Sequence, residues 1–467
     1  MKIAITLSLS LRIALVIAVV LLLTEGKAGA LSSDSLEINV TEPIPLRPSV
    51  QEGASVRVIG KRSFEKGDFS VSLGGLLSIS GRPERGGYDA GGFVPRDESF
   101  SNRRFELDFH DTFISYRSEK VYTSAGYQRV QWSRFVEKGP IDLFNAEDLR
   151  YSWTIEKSRR KISSITARLE ITPNRWWNVE AVIVPLAVAA RLPMQGERWF
   201  SRDMEPPRTI LTDYGPIYID ANHTNPLLNH WSQQASVGMR GRFFLDSFDI
   251  SLIAYHGYTP GVTIESKTQI EQKDGDIRIA KTYMPVIEKE TVWGISFSGV
   301  VKDAVVYGET AIALNRRFTS ARLNDVLLPG IGSLPVLYKT AAAMGNEWEN
   351  AIGVNYSWEE YTFSLQSGVA WVIEPDNAPY RGTRSVWCLL SVGRPIRTTI
   401  GIFDLDSTLF WDAEKGDGML RLSFESNPVK NLSITASLIA FPGYGEKGYL
   451  SNFRDNTEVR LLLTFYP

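Results

Sequence analysis

The stretch SSITARLEIT, Ser163–Thr172, alternates apolar and hydrophilic side chains with a period of two residues. In a β-strand, successive side chains point to opposite faces, so each class would occupy its own face. The apolar face would carry Ile165, Ala167, Leu169 and Ile171, and the hydrophilic face Ser164, Thr166, Arg168 and Glu170. The pattern predicts a long strand with one apolar and one hydrophilic face.

The same alternation recurs along the chain in segments of roughly 9 to 13 residues. Further examples are SQQASVGMRGRFF (Ser232–Phe244), NLSITASLIA (Asn431–Ala440) and EVRLLLTFY (Glu458–Tyr466). A soluble β-sandwich shows such alternation in shorter strands, of about 5 to 6 residues. Strands of about 10 residues are typical of transmembrane β-barrels, so the strand length favours a barrel.

The links between the predicted strands alternate between long and short from about Asp68 onward. The short links are predicted at Arg117–Lys120, Pro173–Trp176, Asp246–Ser247, Lys302–Asp303, Trp358–Glu360, Gly393–Pro395 and Asn427–Lys430. The long links include Ser133–Lys161, Ala187–Trp231, Thr259–Thr291 and Ser407–Gly416. This alternation predicts an all-β fold over residues 67–467. We expect a transmembrane, antiparallel, up-and-down β-barrel of about 16 strands, with short periplasmic turns and long extracellular loops.

The N-terminal 66 residues differ from the rest of the chain. Lys2 and Arg12 precede the apolar run Ile13–Leu23, and small residues follow at Ala28–Ala30. This is the pattern of a cleaved signal peptide over residues 1–30, with a retained signal anchor as the alternative. Residues 31–66 are polar and contain three prolines. They predict a flexible or loosely docked periplasmic tail, with a short plug as the alternative.

Several functional classes find little support in the sequence. The formal net charge is −2, which does not point to nucleic acid. Cys388 is the only cysteine and therefore cannot form an internal disulfide. The four histidines, His110, His223, His230 and His256, show no metal-ligand spacing. We therefore expect neither an enzyme nor a bound metal or cofactor.

A resemblance to a known group of proteins begins at the end of one predicted strand. GYQRVQWS (Gly126–Ser133) and PIDLFNAEDLR (Pro140–Arg150) combine a strand Gly and Gln with a Trp and then Asp-x-x-Asn-x-x-Asp. The matching residues are Gly126, Gln128, Trp132, Asp142, Asn145 and Asp148. This pattern resembles bacterial outer-membrane porin-like β-barrels related to alginate-export channels. The resemblance implies a barrel in the outer membrane of a Gram-negative cell.

The polar link Ser133–Trp153 is predicted to fold into the barrel and narrow it. Its Asp142, Asn145 and Asp148 would bond to turns or pair with arginines of the wall. The candidate pore-lining residues are Arg104, Arg129, Arg134, Asp142, Asn145, Asp148, Arg168, Glu170, Glu180, Arg240, Arg242 and Glu309. A salt-bridged ladder on the wall is an equally supported role for these charges. For the basic run Glu156–Lys161, a solvated loop face is favoured over a binding patch.

These patterns together predict a channel that passes small hydrophilic solutes, with selectivity set by charged lumen residues and the inward loop. The alternative is a non-transporting receptor or adhesin that presents the long link at residues 187–230. The expected partners are outer-membrane lipid, the barrel-assembly machinery and the solute. The aromatic end of the last strand resembles the signal that the assembly machinery recognises. No nucleic acid is expected.

Overall fold

A computed structural model gives the fold of the chain. It describes residues 35–41, 55–80, 105–149, 157–188, 190–191, 209–212, 215–223, 235–273, 276–320, 337–341, 343–379, 382–398, 401–429, 432–443, 450, 453 and 456–465. The predicted signal peptide and the candidate residue Arg104 lie outside the described residues.

One large antiparallel sheet forms the wall of the molecule. Its first strands are β1 (Ser35–Thr41), β2 (Ser55–Lys66), β3 (Phe69–Ser80), β4 (Phe105–Phe109), β5 (Thr112–Arg117), β6 (Val121–Gln128), β7 (Ser164–Asn174) and β8 (Trp177–Val184). The next are β11 (Ser236–Phe244), β12 (Phe248–Tyr258), β15 (Lys289–Val301), β16 (Ala304–Phe318), β18 (Ala343–Trp358) and β19 (Tyr361–Ile373). The last are β20 (Arg384–Thr398), β21 (Gly401–Asp412), β22 (Asp417–Val429), β23 (Leu432–Ala440) and β24 (Glu458–Phe465).

The sheet closes on itself. Each strand pairs with its neighbours in chain order, and β24 pairs with β1, from Leu461↔Val40 to Phe465↔Leu36. Because β4 and β5 lie one after the other along β3, the 19 strands fill 18 positions around the described wall. Among the described residues, every wall strand except β4 pairs with a strand on each side. A sheet closed in this way satisfies its backbone groups internally, as a sheet in lipid must. The predicted transmembrane up-and-down β-barrel is confirmed.

The predicted N-terminal tail is where the structure departs most from expectation. Two ranges of it are wall strands: β1 pairs with both β2 and β24, and β2 pairs with β3 along its full length. From Phe69 onward the wall has the 16 positions predicted, and β1 and β2 supply the other two. The tail prediction is therefore wrong for these ranges, because polar composition and three prolines concealed two alternating strands.

A second sheet occupies the end of the barrel where the long links lie. It consists of β9 (Thr209–Thr212), β10 (Gly215–His223), β13 (Thr263–Lys273), β14 (Asp276–Val286) and β17 (Leu337–Ala341), in the order β17-β13-β14-β10-β9. Its strands come from three successive long links, and β10 pairs in parallel with β14. Long extracellular-type links thus carry secondary structure of their own.

One predicted turn is misplaced. Gly393–Pro395 lies inside β20, where Pro395 stands opposite Asp404 of β21, so the link follows Thr398 instead. The predicted long link Ser407–Gly416 is correspondingly only residues 413–416, because β21 extends to Asp412. A Gly-x-Pro pattern usually marks a turn, but pairing of all three residues with β21 holds this stretch extended.

The two faces of the wall differ as the alternation predicts. Large apolar side chains are exposed on the outer face, among them Ile183, Met239, Leu252, Trp293, Ile295 and Leu390. Inward-facing positions carry hydrophilic side chains that are buried, among them Ser124, Thr166, Glu180, Arg240, Ser298 and Gln366. This inversion of the usual soluble pattern is typical of a barrel with lipid outside and water inside. Within the described residues, no helix is long and apolar enough to cross a membrane.

Candidate functional site

Segment 129–149, which follows β6, lies against the inward-facing side chains of the wall. Val130, Trp132, Ile141, Leu143 and Phe144 form one buried cluster with wall residues. The wall contributes Val182 and Val184 of β8, Ile253 and Tyr255 of β12, Val292 of β15, and Ala311 and Ala313 of β16. The apolar half of the segment therefore covers an apolar strip of the inner wall.

Trp132 packs against Gly238 of β11, where the wall has no side chain. Its ring meets Phe144 edge-on at 4.6 Å between centroids, and Phe144 meets Tyr255 in the same manner at 5.3 Å. A Cβ on Gly238 would lie 2.5 Å from Phe144 Cζ and 2.8 Å from Trp132 Cη2. Only glycine at this position leaves room for the two rings.

Phe135 anchors the segment farther along the wall. Its ring lies 5.1 Å from Tyr307 of β16 and 6.0 Å from Trp387 of β20. The same buried cluster includes Leu450 and Phe453 from the last long link. Two links that are far apart in sequence therefore contribute to one apolar cluster inside the barrel.

Glu309 of β16 accepts two hydrogen bonds from the segment. Its Oε2 accepts from the Ser133 hydroxyl at 2.9 Å, and its Oε1 accepts from the backbone N–H of Arg134 at 2.8 Å. Strand β19 adds a further contact. The N–H of Val136 donates to Gln366 Oε1 on this strand at 3.3 Å. These bonds fix the part of the segment between the two apolar anchors.

Asn145 ties the two ends of the link together. Its Oδ1 accepts from the N–H of Val130 at 2.6 Å, and its Nδ2 donates to the carbonyls of Gln128 at 3.2 Å and Ile162 at 2.9 Å. Because the side chain is buried and fully engaged, it stabilises the fold of the link.

The ion-pair partners of Asp142 and Asp148 among the described residues lie on loops. Asp142 binds Lys157 at 2.7 Å, and it also contacts Lys161. Asp148 lies 3.6 Å from Arg191, which itself binds Asp108 of β4 at 2.6 Å. Of the two predicted kinds of partner, turn hydrogen bonds and wall arginines, the second is replaced for Asp142 by two loop lysines.

Five of the predicted wall charges form a ladder across β7, β8 and β11. Glu180, with a fully buried side chain, contacts Arg240 at 2.5 Å and Arg168 at 2.5 Å. Glu170 contacts Arg242 at 2.5 Å and Arg168 at 3.2 Å. The Arg168–Glu180 contact is ionic only, since neither Arg168 Nε nor Glu180 Oε1 has the alignment of a hydrogen bond. The arginines outnumber the glutamates in this ladder.

A cavity of about 590 Å³ lies between the segment and the wall. Its lining includes Arg134 from the segment and Arg168, Arg240 and Arg242 from the ladder. Tyr307 of β16 and Asn355 of β18 also line it. Trp132 also borders it, with the Arg240 guanidinium 5.2 Å above the ring. The described residues that line this cavity include four arginines and no carboxylate.

The remaining candidate, Arg129, lies apart from the cavity. It binds Asp111 through two hydrogen bonds, at 3.2 and 2.6 Å, and donates to the carbonyl of Ser158 at 2.8 Å. Among the described residues, the one ionic partner of Arg134 is Asp249, at 3.9 Å, and the Arg134 side chain is 55% exposed. Of the candidates, Arg134, Arg168, Arg240 and Arg242 meet at one cavity.

Three buried bases were not predicted as site residues. Lys157, Arg160 and Lys161 belong to the run for which a solvated face was favoured, yet all three are buried. That interpretation is wrong, because acidic residues of segment 129–149 neutralise them. The helix α1 (Lys157–Arg160) carries two of them.

Asp142 is ionised under all ordinary conditions. Burial alone would raise its pKa, but Lys157 and Lys161 outweigh burial and lower the pKa from 3.8 to about 2. Burial likewise opposes the charge on Lys157, and Asp142 and Glu147 raise its pKa despite that. Each partner therefore holds the other in its charged form.

Two of the described histidines lie on or beside wall strands. His110 follows β4 and is buried, whereas His256 lies on β12 and contacts the Thr291 hydroxyl at 3.0 Å. Among the described residues, no group of His, Cys, Asp or Glu side chains is arranged to hold a metal ion.

No protein-family model and no curated protein sequence matches this chain. Solved structures similar to it include the Escherichia coli outer-membrane protein Wzi, described as a carbohydrate-binding β-barrel involved in group 1 capsule assembly. The identity is 9%, over 98% of this chain and 88% of that one, with a TM-score of 0.43. OccD3 of Pseudomonas aeruginosa matches at 9% identity over 93% and 90% of the chains, with a TM-score of 0.45. OccAB1 of Acinetobacter baumannii matches at 9% identity over 94% and 98%, also at 0.45.

Nothing about this chain's function follows from these similarities. The narrower resemblance to barrels related to alginate-export channels stays a prediction from the sequence motif.

Proposed function

We propose that this chain is a porin-like channel of the outer membrane that passes small hydrophilic solutes. The exposed apolar outer face would lie in outer-membrane lipid. Residues 1–30 would act as the cleaved signal peptide, and the barrel-assembly machinery would recognise the aromatic end of the last strand.

The cavity lined by four arginines carries the proposal. It lies inside a closed barrel whose inner face is hydrophilic, and its lining runs from β7 and β11 to Tyr307 of β16 and Asn355 of β18. An interior of this kind, with charged side chains at a constriction, selects solutes by width and by local potential.

The excess of arginine supports a preference for anions over cations. Arg168, Arg240 and Arg242 share two glutamates, and Arg134 has only Asp249 at 3.9 Å. The potential in the cavity would therefore be positive, and salt would weaken the preference by screening.

Segment 129–149 would form the constriction. Its support is the sequence of contacts that runs from Val182 on β8, through Glu309 on β16, to Trp387 on β20. A link held at these points crosses a large part of the inner wall and reduces the free cross-section.

Reversal potentials in a salt gradient across a planar bilayer test the proposal. We expect anion preference in the parent protein and a weaker preference in Arg134→Gln, because that arginine is the least neutralised. Arg394→Gln is the matched control, since Arg394 lies on the outward side of β20, 4.8 Å over the Tyr361 ring. Absence of conductance, or a preference for cations in the parent, would contradict the proposal.

A non-transporting receptor or adhesin is the second candidate. The observation in its favour is the second sheet, in which three long links combine into five ordered strands at one end of the barrel. A surface of that kind suits presentation to a partner outside the cell. A barrel that folds but conducts nothing would support this candidate.

A further inference from the structure

Segment 129–149 and the stretch 157–161 contribute equal and opposite charges to one buried cluster. The acids are Glu137, Asp142 and Glu147, and the bases are Lys157, Arg160 and Lys161. Charged side chains are almost never fully buried unless they are paired. The burial of these bases therefore depends on where the acidic segment lies.

Arg160 makes the central contacts of this cluster. Its side chain is 1% exposed, its Nη2 lies 3.0 Å from Glu137 Oε2, and its Nε lies 3.1 Å from Glu147 Oε2. Glu137 is as deeply buried as Arg160, and its Oε1 has no hydrogen-bond partner among the described residues. Arg160 is thus the one described cation in ion-pair contact with Glu137.

The two lysines hold the middle of the segment. They bind the two oxygens of Asp142, and Lys157 also lies 3.9 Å from Glu147. Backbone bonds join the same stretches, because Ile162 N–H donates to the Ala146 carbonyl and Asp148 N–H to the Arg160 carbonyl, both at 2.8 Å.

We propose that Lys157, Arg160 and Lys161 are positioning residues, a charge lock that holds segment 129–149 against the inner wall. The inference rests on the proposed role of that segment as the constriction. A lock of this kind depends on charge balance, because removing one partner leaves the other charge buried and uncompensated.

Charge balance distinguishes a lock from simple packing. Arg160→Met leaves three acids facing two bases, and Glu137→Gln leaves two acids facing three bases. The double variant Glu137→Gln/Arg160→Met is balanced again, because Glu147 keeps Lys157 as its partner. We expect each single variant to release the segment and the double variant to restore its position.

The position of the segment can be measured without ion flow. Ile141 is fully buried, so Ile141→Cys in a Cys388→Ser background should be protected from a water-soluble maleimide. We expect protection in this parent, in the double variant and in Ser158→Ala. Ser158→Ala is the control, because the Ser158 side chain is exposed and lies on the same helical turn as Arg160. Faster labelling is expected in Arg160→Met and Glu137→Gln. Heat-modifiable mobility on gels reports whether each barrel is folded.

Two results would overturn the lock. Either a folded Arg160→Met or Glu137→Gln barrel is as protected as the parent, or the double variant is labelled as fast as the singles. A barrel that never conducts but shows the expected labelling would contradict the proposed channel and leave the lock intact.

Discussion

The hydroxyl of Ser133 donates a 2.9 Å hydrogen bond to Glu309, although the two residues are 176 positions apart in the chain. The bond joins the link that follows β6 to an inward-facing carboxylate of β16. In the wall, β16 is separated from β6 by β7, β8, β11, β12 and β15. It shows that the link after β6 is part of the barrel interior. Several consequences of that placement are measurable.

Removing the carboxylate of Glu309 should loosen the segment. Glu309→Ala takes the acceptor oxygens from the Ser133 hydroxyl and the Arg134 N–H, and a buried donor left without a partner costs about 1 to 3 kcal/mol. We expect a lower urea midpoint and a larger single-channel conductance. Glu309→Gln keeps a carbonyl acceptor and should therefore lower the urea midpoint by less than Glu309→Ala does. Equal midpoints for Glu309→Ala and the parent would show that these bonds add nothing.

A methyl group at Gly238 should displace the aromatic pair of the segment. The new Cβ would lie 2.5 Å from Phe144 and 2.8 Å from Trp132, and such overpacking costs about 1 to 3 kcal/mol. Gly241 of the same strand is the matched control, because its nearest neighbour would be 3.9 Å away. Trp fluorescence and urea midpoints should change for Gly238→Ala and not for Gly241→Ala. Identical behaviour of the two variants would contradict the packing described.

The stability contributed by Asp142 should be lost only in strong acid. Its folded pKa of about 2 lies below the ordinary 3.8, so its contribution is present above about pH 4 and disappears as the pH falls through about 2. The shift corresponds to about 2 kcal/mol. The difference in urea midpoint between the parent and Asp142→Asn should be constant from pH 7 to pH 4 and shrink near pH 2. A difference that vanishes already near pH 5 would exclude so low a pKa.

The faces of β23 should differ in contact with water. Ser433 donates to Glu425 at 2.6 Å and Ser437 contacts Ser423 at 2.9 Å, whereas Leu438 is exposed on the outer face. Cysteines at 433, 435 and 437 in a Cys388-free protein should label with a water-soluble reagent, and those at 432, 434, 436 and 438 should not. Equal labelling of both sets would contradict the alternation. Ile434→Arg should cost about 2 to 4 kcal/mol if the position lies near the bilayer midplane.

Local alternation was enough to predict most of the wall. In β7, Ala167, Leu169 and Ile171 are exposed on the outer face, and Ser164 and Thr166 are buried inside, as their period of two predicts. Strand number from Phe69 onward followed from link lengths in the same way. The strands β1 and β2 were missed because Leu31–Lys66 is polar and rich in proline, and their pairing depends on β24, at the other end of the chain.

The candidate site depends on contacts that no local pattern contains. The motif drew attention to Asp142, Asn145 and Asp148, but their partners lie on separate stretches that only the fold brings near. The burial of Arg160 was missed for the same reason, since a run of bases is normally a solvated face. The cluster at Arg134, Arg168, Arg240 and Arg242 likewise joins three segments whose register becomes evident only after closure.

Liposome swelling tests the proposed channel most directly. Liposomes that contain the folded protein would be placed in isotonic neutral, acidic and basic sugars of similar size. We predict swelling in all three, fastest for the acidic sugar because arginines line the cavity, with the preference reduced in Arg134→Gln and unchanged in Arg394→Gln. No swelling above protein-free liposomes, from a barrel shown to be folded, would contradict the channel.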